Sequence, residues 1–299
     1  MKNVLAFDLG ASSGRAVAAA FDGAKLELSE LHRFSNDPVM LGHTYYWDIL
    51  RLLHEIKTGI SRAHLSGARF DSLGVDFGLL RPDGRLVDNP LHYRDARNAA
   101  MPAEVFSRVP ASEIYASTGI QTMDFNTLFQ LYYLATREPE QLERADSLLF
   151  TPDLLNFFLS GVRSAEYSIA STSQLLDARA RTWDERLFTR LELPRRLMRD
   201  IVEPGTTLGA LTPAVCDELG VPAMDVVAVA GHDTASAVAA VPHTGGSSWA
   251  YLSCGTWSLL GLELPEPLLT PACCDANFTN EGGIRHTTRF LKNIIGLWL

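Results

Sequence analysis

No stretch of this sequence approaches the roughly 18 uninterrupted apolar residues of a membrane span, so no membrane partner is expected. Basic residues form no stripe or tail, and 26 Lys and Arg against 35 Asp and Glu leave a net charge of −9. That balance lacks the electrostatic footprint of a nucleic-acid partner and suits a mildly acidic enzyme. Cysteine is scarce: of the four, only Cys273 and Cys274 are adjacent, and no CxxC spacing or Cys/His cluster occurs. This speaks against a metal finger or a disulfide framework and predicts reduced thiols in a cytoplasmic protein. The run Met1 to Asp8 is too short and too quickly acidic for a signal peptide. Internal repeats, low-complexity tracts, charge blocks and the GK[ST] of a Walker loop are missing as well. What remains is 299 residues, 46% apolar and 20% charged, enough for a large core and more than one domain.

The stretch from Asp225 to Ala237 organises the chain. Val226 to Ala230 is a short, β-branched apolar run that reads as a buried strand, broken at Gly231 and followed by a small-residue helix from Thr234 to Val241. Asp233 then stands at the carboxyl end of a strand and the amino end of a helix, where open α/β sheets place ligands. A carboxylate there is favoured in its ionised state by the helix dipole and can accept a proton from a substrate hydroxyl. On these residues alone, a simple helix cap is the favoured account of Asp233, and the rest of the chain changes that balance.

Towards the N-terminus, Val4–Asp8, Arg15–Phe21 and Lys25–His32 read as a β-meander, with a small-residue turn at Leu9 to Gly14 and a hairpin turn at Asp22-Gly23. Backbone N–H groups and hydroxyls of such a turn can approach phosphate oxygens, and Asp8 can hold a hydrated divalent cation; a plain hairpin is the alternative. Ile49, Leu53, Ile56 and Ile60 predict an amphipathic helix over Trp47 to His64, and Phe70 to Leu80 reads as one interrupted strand. Tyr93-Arg94-Asp95-Ala96-Arg97 reads as a surface salt-bridge set. Asn126 is placed as a helix cap, Leu154–Leu159 as a helix, and Ser164 to Gln174 as pocket lining or a surface loop. Asp184 begins a short helix, and Pro204-Gly205 leads into the organising strand. After a linker at Pro242 to Gly246, Trp249–Leu252, Ser253-Cys254-Gly255-Thr256 and Trp257–Leu262 form a second strand–turn–strand. Two chemically similar turns on either side of a linker predict an α/β, actin-like (ribonuclease-H-like) fold with two domains around a nucleotide cleft.

Five segments in order carry a resemblance: Asp8 to Arg15, Tyr93 to Arg97, Gly231 to Ala237, Ser253 to Ser258, and Thr279-Asn280-Glu281-Gly282-Gly283. They resemble the motif series of bacterial rhamnulokinases, carbohydrate kinases of the FGGY class, and the likeness covers nearly the whole chain. The resemblance implies transfer of the γ-phosphate from MgATP to O1 of L-rhamnulose. It makes Asp233 the base, with Gly74, His232, Thr234 and Asn293 beside the sugar. Ala11, Ser12, Ser13, Gly14 and Arg15 become the first ATP turn, Thr256 part of the second, and Asp8 the holder of Mg²⁺ through water. Phosphoryl transfer asks for these parts, namely positioning and charge neutralisation with little covalent chemistry.

Two departures from the family pattern stand out. The segment Asp71 to Gly78 reads as several residues shorter than in relatives, which leaves Gly74 alignable on either side of a gap. The chain also ends in what reads as an apolar helix, Ile294, Ile295, Leu297, Trp298 and Leu299, whereas relatives continue into a Gly-rich adenosine-binding stretch. The expected organisation is a first domain at 1–241 and a second domain at 242–299 cut short. A sugar-binding fragment without catalysis, a kinase for another ketose, and an actin-class chaperone or filament protein are the competing readings.

Overall fold

The computed structural model describes residues 2–63, 68–72, 75–242, 249–255 and 257–295, with backbone alone at 68–72 and 295. Its spine is a six-stranded sheet. Lys2–Leu9, Ser13–Phe21 and Leu26–Ser35 form the antiparallel meander at one side, and Ala68–Ser72 and Asp225–His232 continue it in parallel with the first strand. Thr206–Ala210 closes the far edge antiparallel to Asp225–His232. The period-two alternation of the first strand sends Leu5, Phe7 and Leu9 into the core. Asp8 is left on the opposite face, at the strand's carboxyl end.

The helix Ile49–Ala63 lies on the meander and buries Ile49, Leu52, Ile56 and Ile60 against Leu5, Phe7 and Leu9. Its stripe follows the spacing read from the sequence, with Leu52 replacing Leu53 as the buried member. Close approach needs Gly59, where a Cβ would sit 2.6 Å from the Phe7 ring. Thr151–Ser160 packs beneath the strands Asp225–His232 and Ala68–Ser72, opened by Pro152 in its first turn and closed by Gly161 at φ 75°. A second large cluster gathers around Thr127–Arg137 and the helices at Met101–Arg108 and Glu185–Leu191. As read from the sequence, Asp184 caps the last of these, accepting from Arg186 N–H at 3.0 Å. A separate four-stranded antiparallel sheet orders Tyr251–Cys254, Trp257–Leu264, Thr288–Ile295 and Thr279–Gly282. It meets the first body through the helix Asp233–Ala239, where Val238 packs with Tyr251, Leu259 and Leu291.

Several elements differ from their sequence reading. Phe70 to Leu80 is two strands in two sheets, Ala68–Ser72 in the spine and Phe77–Leu80 paired with Ser147–Phe150. Thr206–Ala210 and the helix Pro213–Leu219 separate Pro204-Gly205 from the organising strand. Ile294 and Ile295 end a strand rather than start a helix, because they pair in register with Ser258 and Trp257 of the neighbouring strand; Leu297 to Leu299 lie outside the described residues, as does most of the expected linker. Ser164 to Gln174 is buried rather than a surface loop, as the short strand Ala165–Glu166 and the helix Tyr167–Ser171.

The Tyr93 to Arg97 segment is not a surface salt-bridge set either. Tyr93 and Asp95 are buried, and Asp95 accepts from the backbone N–H groups of Arg97 at 3.0 Å and Tyr45 at 2.9 Å. The segment is organised by Asp76, which accepts from Trp47 Nε1 at 2.6 Å, Tyr93 N–H at 2.9 Å and Gln130 Nε2 at 2.8 Å. Burial raises the Asp76 carboxyl to about 6, although these three donors and Arg97 pull it down. Asp76→Asn puts an amide N–H against one of three donors. The expected loss is about 1–3 kcal/mol at pH 7, measured by urea unfolding.

Candidate active site

A cavity of about 350 Å³ opens between the six-stranded sheet and the four-stranded sheet. Asp8, the turn Gly10 to Ser13 and Arg15 line one side; His232, Asp233 and Thr234 form its floor; Ser253 to Gly255, Thr279, Glu281 and Asn293 face them from the second sheet. Every described residue named for the site from sequence therefore lines this one space, except Gly14. Gly14 instead pairs in register with Leu9, and a Cβ there would lie 2.3 Å from the Phe34 ring. Gly74 and Thr256 lie outside the described residues.

The first turn is held open from behind. Gly10 N–H donates to Ser13 O at 3.0 Å, and Asn36 grips the loop with its N–H on Ser12 O at 3.0 Å and its Nδ2 on Gly10 O at 2.7 Å. With the carbonyls turned back into the protein, the N–H groups of Ala11 and Ser12 donate to nothing among the described residues. Free, adjacent backbone N–H groups are what an anion needs. Cys254 pairs with Ser258 in the second hairpin, and Gly255 N–H closes it on Trp257 O at 2.9 Å.

Asp233 is not the helix cap. His232 occupies that position without a side-chain cap bond, and Asp233 Oδ1 accepts from its neighbour Thr234, at 2.5 Å from N–H and 3.1 Å from Oγ1. Oδ2 receives no donor among the described residues, and the side chain is a third exposed into the cavity. Asp8 sits close enough for Asp233 to matter electrostatically. Burial, with Asp233 adding to it, raises the Asp8 carboxyl despite Arg15, whose Nε lies 3.1 Å away across the strand pair. A carboxylate raised in part by a neighbouring carboxylate is suited to holding a cation.

The floor is anchored deeper still. Glu166 Oε2 accepts from Gly231 N–H at 2.8 Å and from Ser168 Oγ at 2.6 Å, which fixes the backbone just before His232. Burial raises the Glu166 carboxyl against those hydrogen bonds, and burial together with Glu166 pushes its neighbour Asp153 well up. On the rim, Val75 has φ 67°, an outlier for a β-branched residue, and its carbonyl accepts from Thr127 Oγ1 at 2.6 Å.

Sequence reasoning missed the residues that join the two sheets. Gln121 clamps the backbone of Asn293 from both ends, Oε1 accepting from its N–H at 3.1 Å and Nε2 donating to its O at 3.4 Å. Asn126 reaches the predicted helix start but makes no cap; its Nδ2 donates to Gln121 O at 2.8 Å and Gln174 Oε1 at 3.0 Å. Glu281, quoted within a motif but given no role, is buried beside Arg289, which no motif signalled. Their ion pair spans 3.0 Å, and both approach His232 Nδ1, Arg289 Nη2 at 3.0 Å and Glu281 Oε2 at 3.1 Å. Burial alone would push the Glu281 carboxyl up, yet the charge of Arg289 is the chief cause that holds it at about 2.

A depressed folded-state value contributes stability that is present above the unfolded value of 4.5 and lost as pH falls towards 2. The parent should therefore lose its stability advantage over Glu281→Gln across that window. The change is on the order of 3 kcal/mol, read from urea midpoints at a series of acid pH values.

Comparison with known proteins agrees with this architecture. Residues 3–240 match the N-terminal domain of the FGGY family of carbohydrate kinases. The chain is 44% identical over 303 residues to a rhamnulokinase of Bacteroides thetaiotaomicron, covering 100% of this chain and 62% of the relative. It is 43% identical to a rhamnulokinase of Oceanobacillus iheyensis, with 99% and 63% covered. It thus spans about three fifths of the length of the curated relatives it matches. Among solved structures, a ligand-bound xylulose kinase from Lactobacillus acidophilus superposes with a TM-score of 0.85 at 16% identity, covering 98% of this chain and 60% of that one. A Plasmodium falciparum glycerol kinase with ADP gives 0.80 at 15% identity, covering 98% and 61%. These likenesses establish the α/β, actin-like ATPase fold. With four fifths of its length matched by the family's N-terminal domain, the chain belongs to the FGGY family of carbohydrate kinases.

Proposed function

We propose that the protein carrying this chain is a rhamnulokinase, transferring the γ-phosphate of ATP to O1 of L-rhamnulose. The observation that carries this reading is one cavity lined both by Asp233, whose Oδ2 receives no donor among the described residues, and by Ala11 and Ser12, whose N–H groups donate to nothing among them. One side of the cavity suits a hydroxyl that must lose a proton, and the other suits phosphate oxygens. The relatives named rhamnulokinase favour this ketose over others.

In this reading residues 1–241 and 242–299 belong to two lobes that grip the substrates. The sugar lies against His232, Asp233, Thr234 and Asn293, with Gly74 beside them, and the phosphate chain against Ala11 to Arg15 and the turn that contains Thr256. Asp233 accepts the O1 proton as the phosphoryl group arrives. Its Oδ1 is held by Thr234, so Oδ2 is presented in one orientation. Arg15 and the Ala11 and Ser12 N–H groups orient the phosphates, and closing of the cleft around the substrates would keep water away from the phosphoryl group.

Mg²⁺ fits the donors present. Among the described residues no three His, Cys, Asp or Glu groups gather as a metal cage, while Asp8 offers one carboxylate beside Asp233. That is the arrangement for an ion that keeps its waters and is carried largely by phosphate oxygens. When bound, it would neutralise phosphate charge during transfer.

Asp233→Asn keeps the shape and the Thr234 hydrogen bonds but cannot take the proton. Expected is a fall in kcat of about 10²–10⁴ with sugar affinity changed little by calorimetry; near-parental turnover in a folded, sugar-binding variant sinks the assignment. Asn36→Ala releases the Gly10 carbonyl and should weaken ATP binding about fivefold, as one hydrogen bond of roughly 1 kcal/mol implies, with sugar binding unaffected in the same titrations.

A further inference from the structure

Arg289 is wholly inaccessible to solvent, and a buried guanidinium is costly unless its surroundings use it. Its Nε donates to Gly282 O at 3.0 Å, its Nη2 lies 3.0 Å from Glu281 Oε2, and its Nη1 has no hydrogen-bond partner among the described residues. The remaining contact is the informative one. Nη2 also lies 3.0 Å from His232 Nδ1, reaching from the second sheet to the end of the organising strand.

A guanidinium only donates and does not lose its proton in a protein; its contact with Nδ1 has hydrogen-bond geometry, whereas Glu281 Oε2, 3.1 Å from the same nitrogen, makes no hydrogen bond among the described residues, so Nδ1 accepts. His232 Nδ1 is then unprotonated and the ring proton resides on Nε2, the nitrogen 3.6 Å from Asp233 Oδ1. Ser168 Oγ accepts from His232 N–H at 3.3 Å, which holds the backbone from which the ring projects. Glu281 matches the arginine's charge without displacing it from Nδ1. The arrangement is a second layer that selects a tautomer, as carboxylates do behind metal-bound histidines.

We propose that Arg289 is a positioning residue for the sugar site: held by Glu281, it locks His232 as the neutral Nε2–H tautomer and so presents an N–H donor beside Asp233 to a sugar hydroxyl. The sugar half of this assignment rests on the kinase reading above; the tautomer half does not.

The test uses the chain labelled with ¹⁵N-histidine at neutral pH, the His232 signals being identified by their loss in His232→Gln. Expected in the parent are an unprotonated Nδ1 and a protonated Nε2. Arg289→Met alone strands a buried carboxylate and can unfold the chain, so the neutral pair Arg289→Met with Glu281→Gln is the comparison; there the fixed tautomer should give way to a mixture. Its kcat with L-rhamnulose should fall at least tenfold while KM for MgATP stays within twofold. A proton on Nδ1 in the parent, whether as the other tautomer or as imidazolium, overturns the proposal, as does a parental tautomer surviving in the double variant. A shifted tautomer with unchanged kcat overturns the positioning role and leaves the kinase reading intact. Expected shifts in a parent without sugar-dependent turnover overturn the kinase reading and, with it, the sugar half.

Discussion

The structure depends on keeping Asp8 and Asp233 facing each other across one cavity. The two carboxylates stand at the ends of strands that flank Ala68–Ser72 in the spine sheet, and Asp233 adds to the burial that makes Asp8 harder to ionise. Left to themselves, two such groups in a partly dry cleft would separate or share a proton. Here the sheet fixes their spacing, Arg15 offsets Asp8, and the Thr234 N–H and the start of a helix steady Asp233. The uncompensated remainder of negative charge is what a hydrated divalent cation and its phosphate chain would relieve.

Behind each carboxylate stands a buried polar anchor that the surrounding apolar core makes rigid. Glu166 fixes the backbone at Gly231, Asn36 fixes the phosphate turn, and Gln121 fixes Asn293 on the opposing sheet. Unsatisfied donors in such places would be expensive, so each anchor has little freedom to move. Aromatic rings complete the bridge, Tyr93 meeting Phe125 edge-on at 5.4 Å and Phe125 meeting Trp257 at 5.7 Å. The cavity is thus a seam between two packed sheets rather than a surface groove, which gives closing of the seam a direct effect on the groups that line it.

Much of this was legible from residues alone where a local rule governs. The meander, the Ile49–Ala63 helix and the break at Gly231 and His232 follow from periodicity and small-residue turns, and so does the placement of Asp233 at a strand end. The site was less legible wherever a long-range contact decides. Tyr93 to Arg97 looks like a solvated charge cluster because nothing nearby in sequence reveals Asp76 beneath it. Ile294 and Ile295 look helical until the neighbouring strand Trp257–Leu264 pairs with them. Arg289 carries no motif, and its part in the site arises only because the second sheet brings it to His232. Glu281 sat inside a recognised motif, yet its role depends on that same meeting.

The claim at the centre of this account is that the cavity delivers a phosphoryl group to a sugar hydroxyl deprotonated by Asp233. Product analysis tests it most directly: the protein carrying this chain is incubated with MgATP and L-rhamnulose, and the product is examined by ³¹P and ¹³C NMR. The account predicts ADP release that depends on the sugar, and a phosphate coupled to C1 alone. ATP hydrolysis at the same rate with and without the sugar, or phosphate on any other carbon, would contradict it.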